Sequence, residues 1–269
     1  MGISVAAALK NNGHQVGWVS EGRSADTRTR AERLGLMDAR TLLNLCGECS
    51  IIISVCPPHA AETIARQVAA AGFQGLYLDA NAISPQRAIA IGDILANAGI
   101  AFVDGGIIGA PAWQPGGTWL YLSGGRASEI AACFAASPFE TRVLSANVGE
   151  ASALKMCYAA YSKGTTALLA AILATAETCG VREALSQQWN SDDADFSARA
   201  QGRIQRILGK AWRFVGEMEE ISSTFGDAGM PGGFHAAAAE VYRRLARFKN
   251  ARHAPTLDDV LDALHQKDV

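Results

Sequence analysis

Hydrophobic and polar positions change their period partway along the chain. In the first half, short β-branched runs alternate with alanine-rich amphipathic stretches, the pattern of βα units wound around a parallel sheet. The runs predict strands at Val16–Ser20, Ile51–Val55, Leu76–Asp79, Ala101–Asp104 and Trp119–Ser123. Helices are predicted at Ile3–Asn12, Asp26–Leu34, Ala60–Ala71, Pro85–Ala98 and Ala127–Ala135. Gly13, Gly35, Gly72 and Gly99 each follow one of these helices, where a left-handed residue closes the last turn. From Glu150 onward strand signals nearly vanish and helical periodicity takes over. Ser152–Cys179 reads as one unbroken helix, with a single Gly (Gly164) and no Pro. Later helices are expected over Ala198–Phe225, Gly233–Phe248 and Leu257–His265. The expected organisation is a sheet domain over residues 1–147 followed by an all-α domain over residues 148–269.

Composition narrows the function classes. With 269 residues, 49% hydrophobic and 19% charged, the chain has a folded protein's composition and material for a sizeable core. Its 24 Lys and Arg against 26 Asp and Glu leave a net charge of −2, without the broad positive field of a phosphate-backbone binder. No nucleic-acid partner is expected. The apolar stretch between Lys163 and Glu177 is too short for a bilayer, and Ile3–Leu9 lacks the basic lead of a signal peptide. A cytoplasmic address with no membrane partner is the expectation. Six irregularly spaced cysteines read as reduced thiols, and Cys46-x-x-Cys49 as structural, since no second pair or nearby histidine completes a metal site. The five histidines show no ligand spacing, so no metal is expected. The basic run Arg243, Arg244, Arg247, Lys249 and Arg252 reads as a solvated or subunit-facing flank.

A parallel sheet binds ligands at the carboxyl ends of its strands, and the dinucleotide form opens with a strand, G-x-G-x-x-G and a helix. Met1-Gly2 and the apolar helix after them match the last two positions of that fingerprint; a plain helix opening Met-Gly is the alternative. The first strand and two glycines are missing, which a start codon assigned downstream of the true one would explain. The second strand ends in Ser20-Glu21-Gly22-Arg23-Ser24. An acidic residue there suits a ribose hydroxyl pair, while Arg23 and Ser24 suit a 2′-phosphate. NADP is favoured, Glu21 keeps NAD open, and a solvated loop is the third possibility. Cys56 and Pro57 follow the third strand and Asn81 the fourth, all candidates to face the cofactor, while Ser84 and Pro85 open a helix as cap and first residue.

Chemistry is expected further on. In Asp104–Pro111, Gly105, Gly106 and Gly109 allow backbone amides to approach an anion, a candidate carboxylate pocket. Lys155, Tyr158 and Ser162 share one face of the following helix at offsets of three and seven residues. Lys155 is either partly desolvated among Leu154, Met156 and alanines, with a pKa lowered towards proton transfer, or it snorkels to water.

In their order, Met1-Gly2, Asp79–Pro85, the Asp104–Gly109 glycines and Gly149–Lys155 resemble the β-hydroxyacid dehydrogenase superfamily, which includes 3-hydroxyisobutyrate and 6-phosphogluconate dehydrogenases. Lys155–Ala159 with Lys163-Gly164, and Glu217–Ile221 ahead of Gly229-Met230-Pro231, resemble its subgroup with a C-terminal helical domain of poorly known function. The resemblance spans nearly the whole chain. It implies a Rossmann-type sheet with its first strand apparently missing, NAD(P), a small 3-hydroxy acid as substrate, and a homodimer. It implies that Lys155 takes the hydroxyl proton as hydride leaves for the nicotinamide, that Gly105–Gly109 meet the substrate carboxylate, and that Tyr158 and Ser162 line the substrate site. This chain departs from the pattern at Ala159, where the family commonly has asparagine, and at Ile108, where serine is usual. Tyr158 and Ser162 replace the histidine and glutamate of the decarboxylating enzymes, and Gly216-Glu217 a Lys-Asp pair, for which Lys210 or Arg213 are substitutes. Two rivals stand beside the dehydrogenase: an imine reductase of the same fold, disfavoured by the retained Lys155, and a non-catalytic dinucleotide-binding relic.

Overall fold

A computed structural model describes residues 1–251 and 253–265; Arg252 of the basic run lies outside them. The chain divides into two units, Met1–Met156 and Cys157–Val269, so the division falls inside a helix rather than ahead of it.

The first unit contains α1 (Gly2–Asn11), β1 (Gly17–Trp18), α2 (Ala25–Arg33), β2 (Met37–Asp38), α3 (Leu42–Glu48), β3 (Ile51–Ser54), α4 (Ala61–Ala70), β4 (Leu76–Asp79), α5 (Pro85–Asn97), β5 (Ala101–Gly109), β6 (Thr118–Ser123), α6 (Ala127–Cys133) and β7 (Glu140–Ser145), and α7 (Glu150–Ala159) begins in it. Among the described residues five strands form one sheet in the order β3-β4-β5-β6-β7, while β1 and β2 pair with each other. These are the two wings of a doubly wound order without its first strand. The parallel expectation holds for β3, β4 and β5; β6 returns antiparallel to β5, and β7 runs parallel to β6.

Alternation along the strands feeds two cores. Leu76 and Leu78 of β4 join Val103, Ile107, Leu120 and Leu122 against α1 and α6. Ile52 and Tyr77 point the other way, to Ala65 and Val68 of α4 and Ile91 and Leu95 of α5. The four glycines expected to close helices all adopt positive φ, at 87° (Gly13), 58° (Gly35), 69° (Gly72) and 74° (Gly99). Ser84 and Pro85 open α5 as cap and first residue.

The second unit is helical: α8 (Thr165–Thr178), α9 (Arg182–Asp192), α10 (Phe196–Ile207), α11 (Ala211–Asp227), α12 (Gly233–Leu245) and α13 (Leu257–His265). The expected single helix Ser152–Cys179 is interrupted by a π-turn at Ala160–Gly164. Such a turn frees carbonyls from the regular ladder. Tyr242 donates its hydroxyl to Lys163 O at 2.7 Å, and Arg203 Nη2 donates to Ser162 O at 2.9 Å. The expected helix Ala198–Phe225 is likewise divided, by a 3₁₀ turn at Leu208–Lys210 that contains Gly209. His235 packs its ring on Phe225 at 4.5 Å and lies against Gly164, inside this unit's core. Arg243 and Arg244 of the basic run are tied to Glu240. No helix among the described residues is long and apolar enough to cross a membrane. All six cysteines are free thiols, and burial pushes Cys49 up to about 11, far from a reactive thiolate.

Candidate active site in the sheet unit

Asp79, the last residue of β4, and Asp104, midway along β5, are register partners, and both are buried. Asp104 Oδ2 accepts from the amides of Gly149 at 3.1 Å and Ser152 at 2.9 Å and from Ser123 Oγ at 3.1 Å. Its Oδ1 accepts from Ser152 Oγ at 2.6 Å, and Ser123 Oγ in turn accepts from Ala151 N at 3.1 Å. The first turn of α7 thereby gains acceptors for amides that a helix start leaves open. Burial pushes the Asp104 carboxyl above the usual carboxylate range, against the pull of these hydrogen bonds.

Gly106 sets the distance between strand and helix. A Cβ there would meet Ala151 O at 2.6 Å and Lys155 Cβ at 3.2 Å, so α7 lies directly on the glycine backbone. One turn beyond Ser152, half-buried Lys155 donates from Nζ to Ile107 O at 2.9 Å. The amine is anchored at the far end of β5 rather than snorkelling.

Asp79 belongs to a second set. Its Oδ1 accepts from Asn81 N at 2.9 Å and its Oδ2 from Asn81 Nδ2 at 3.0 Å. Asn81 Nδ2 also donates to Ser54 Oγ at 3.0 Å, and Asn81 Oδ1 accepts from the Cys56 amide. Burial raises Asp79 from 3.8 to about 6; the Asn81 hydrogen bonds oppose this, Asp104 adds to it, and the Lys155 ammonium lowers it.

Several expectations change here. Gly105, Gly106 and Gly109 do not form an open anion loop: they extend β5 and pair with Leu122, Tyr121 and Thr118 of β6. Their missing side chains admit protein backbone, since a Cβ at Gly105 would meet Asp79 O at 2.9 Å and one at Gly109 would meet Gly117 O at 2.2 Å. Asn81 does not face a cofactor, because its amide is spent joining the ends of β3 and β4 and it is 2% exposed. Ser162 sits in the π-turn, and Tyr158, half exposed, lies on α7. Glu217 pairs with Lys163, whose ammonium also lies 4.6 Å from the Phe214 ring centroid.

Candidate cofactor residues gather at other strand ends. Gly2 is exposed at the start of α1, which has no side-chain cap and no acidic residue in its first turn, and it lies against Val55. Glu21, Arg23 and Ser24 are exposed, and the positive charge of Arg23 acts on the Cys56 thiol. Ser24 Oγ is the N-cap of α2, accepting from Thr27 N. Exposed Pro57 follows Cys56. Arg40, which no local signal marked, adopts φ 65°, bonds Asp38 Oδ1 through its amide and accepts from Glu21 N. Asp104, Ser123, Ser152 and the Ile107 carbonyl also escaped the sequence reading, since their partners are far away in the chain.

Residues 1–136 match the family described as the NAD binding domain of 6-phosphogluconate dehydrogenase. The chain belongs to that family. Residues 176–245 match a domain of unknown function, DUF1932. An uncharacterised 28.5 kDa protein of Methanothermus fervidus, encoded beside 7S RNA, is 27% identical over 165 residues, 61% of this chain and 63% of that protein. The chain thus aligns with less than two thirds of this curated relative. Among solved structures, a conserved protein of unknown function, described as similar to 3-hydroxyacid dehydrogenases, is 25% identical, with 93% and 95% of the two chains covered and a TM-score of 0.67. A 3-hydroxyisobutyrate dehydrogenase of Mycobacterium tuberculosis, described with L-serine, is 17% identical over 99% and 96%, with a TM-score of 0.69. An imine reductase of Streptomyces aurantiacus is 19% identical over 98% and 96%, at 0.54. The last two likenesses are of fold alone.

The 6-phosphogluconate dehydrogenase-like domain carries its own pH signature. As pH rises from 3.8 to about 6, the unfolded chain loses the Asp79 proton before the folded chain does, so the stability that Asp79 contributes is lost across this window. Measured by urea unfolding, the wild type should therefore lose stability relative to Asp79→Asn over that interval. A constant difference between the two proteins contradicts the burial argument.

Proposed function

We propose that the chain is an NADP-linked oxidoreductase moving a hydride between the cofactor and a small 3-hydroxy acid or its oxo form, with Lys155 as proton donor and acceptor. The observation that carries the reading is the anchoring of Lys155 Nζ on Ile107 O, 2.9 Å away, on a helix pinned by a buried carboxylate. A proton donor fixed at the strand ends stands where sheets of this order bind ligands. Family membership supports the cofactor. The substrate class is supported by the solved structure described as similar to 3-hydroxyacid dehydrogenases.

The residues present fit the cofactor. The uncapped start of α1 at Gly2 suits a phosphate, because its amides carry the positive end of the helix dipole. Arg23, exposed and without a side-chain partner among the described residues, suits a 2′-phosphate, and Arg28 and Arg40 add positive charge around Asp38 close by. Exposed Glu21 suits a ribose hydroxyl. When bound, the nicotinamide accepts or supplies the hydride. Lys155 takes the hydroxyl proton on Nζ as the substrate carbon is oxidised and returns it to the carbonyl oxygen in the reverse direction. Its place beside a developing alkoxide also stabilises that charge. The likeness to imine reductases is one of fold, and the retained lysine favours the alcohol–carbonyl pair.

With NADP and a panel of small 3-hydroxy acids, Lys155→Ala should lower turnover by about a thousandfold while NADPH still quenches tryptophan fluorescence. A fully active variant removes Lys155 from the mechanism. Arg23→Ala should weaken NADPH relative to NADH by about tenfold or more, the worth of a charged hydrogen bond. An unchanged cofactor ratio withdraws the 2′-phosphate assignment.

A further inference from the structure

The helical unit holds a cavity of about 350 Å³ against α10, lined by Leu169, Asp193, Phe196, Arg199, Arg203 and Arg206 among others. Phe196, Arg199, Arg203 and Arg206 recur at helical spacing and form one stripe along α10. Three guanidinium groups face a single carboxylate there. Like charges three and four residues apart on a helix repel, so the stripe is a local cost that an anion would relieve.

Two of the three arginines are already held in place. Arg199 pairs with Asp193, bonds Ala194 O and lies 5.8 Å from the Phe196 ring centroid. Arg203 places a single nitrogen, Nη2, on Ser162 O at 2.9 Å, Thr165 Oγ1 at 2.7 Å and Thr166 Oγ1 at 3.0 Å. Its Nε and Nη1 have no hydrogen bond among the described residues. Arg206 is exposed and makes no ion pair or hydrogen bond there. Fixed guanidinium forks lose little freedom on binding and match the paired oxygens of carboxylates and phosphates. The volume lies at the small end of ligand pockets, which suits a metabolite rather than a macromolecule, and Leu169 and Phe196 give it an apolar wall.

We propose that the arginine stripe of α10, in the helical unit, is a binding site for a small dianion, a phosphate ester or a dicarboxylate. The common chemistry is a pair of anionic oxygens met by Arg203 and Arg206, with the carbon skeleton against Phe196 and Leu169. This site is independent of whether the sheet unit is a dehydrogenase.

Isothermal titration of the full chain with inorganic phosphate and, separately, malonate, at constant ionic strength, tests it. At least one probe should bind, and which of them binds more tightly assigns the natural ligand to phosphate or carboxylate chemistry. Arg206→Glu should weaken the bound probe at least about tenfold, as expected for a lost charged hydrogen bond, without lowering the ligand-free melting temperature. NADPH affinity should be unaltered in that variant, and Arg23→Ala should leave phosphate affinity unaltered. Absence of binding by both probes at about 10 mM, tenfold above the millimolar end of the affinity scale, or undiminished binding by Arg206→Glu, overturns the proposal. A variant that alters sedimentation mass while neither probe binds the wild type also overturns it, making the stripe a subunit contact.

Discussion

Burying one carboxylate decides where the chemistry of the sheet unit can sit. A charge in an apolar interior is tolerated only when hydrogen bonds replace its water, and Asp104 receives four. A helix start, conversely, has amides that need acceptors. Asp104 and α7 each meet the other's need, and α7 cannot slide along β5 without leaving both unpaired. Gly106 removes the last obstacle by letting the helix rest on the strand. Lys155, one turn further along, inherits a position fixed by groups that do no chemistry themselves.

Periodicity made much of this frame readable. The apolar run at the start of Leu76–Asp79 was visible because β4 is buried on both faces, and the spacing of the alanines in α4 and α5 because one face of each helix is buried. Nothing comparable marked β7, a largely exposed edge strand, or α9, which has no buried residue. The glycines of β5 taught a different lesson. Their spacing signalled close approach of backbone, but the approaching groups are Ala151 O, Asp79 O and Gly117 O rather than a ligand. Asn81 was rightly placed at a strand end, yet a side chain's direction depends on partners such as Ser54, which lies 27 residues away. The Asp104–Ser152 pair, 48 residues apart, leaves no local trace. Lys155 stood out through its family resemblance, because helical spacing alone did not choose between an anchored and a solvated amine.

Overall charge conceals local design in the same way. A net charge of −2 argues against a nucleic-acid surface, yet it coexists with small positive clusters. One gathers Arg23, Arg28 and Arg40 near the ends of β1 and β2; another lines α10. Both are of a size that suits small anions, which a sum over the chain does not register. The π-turn at Ala160–Gly164 ties into the second of these, since Arg203 satisfies a carbonyl of that turn while lining the cavity.

Amide hydrogen exchange at Gly149, Ala151 and Ser152 reads the Asp104 clamp directly, without a substrate or a cofactor. If the carboxylate and Ser123 hold the start of α7, these amides exchange only as the sheet unit unfolds, as slowly as the core of β4. Exchange at the rate of an open loop, with β4 still protected, would mean that the helix start is not pinned and that the position of Lys155 rests on something else.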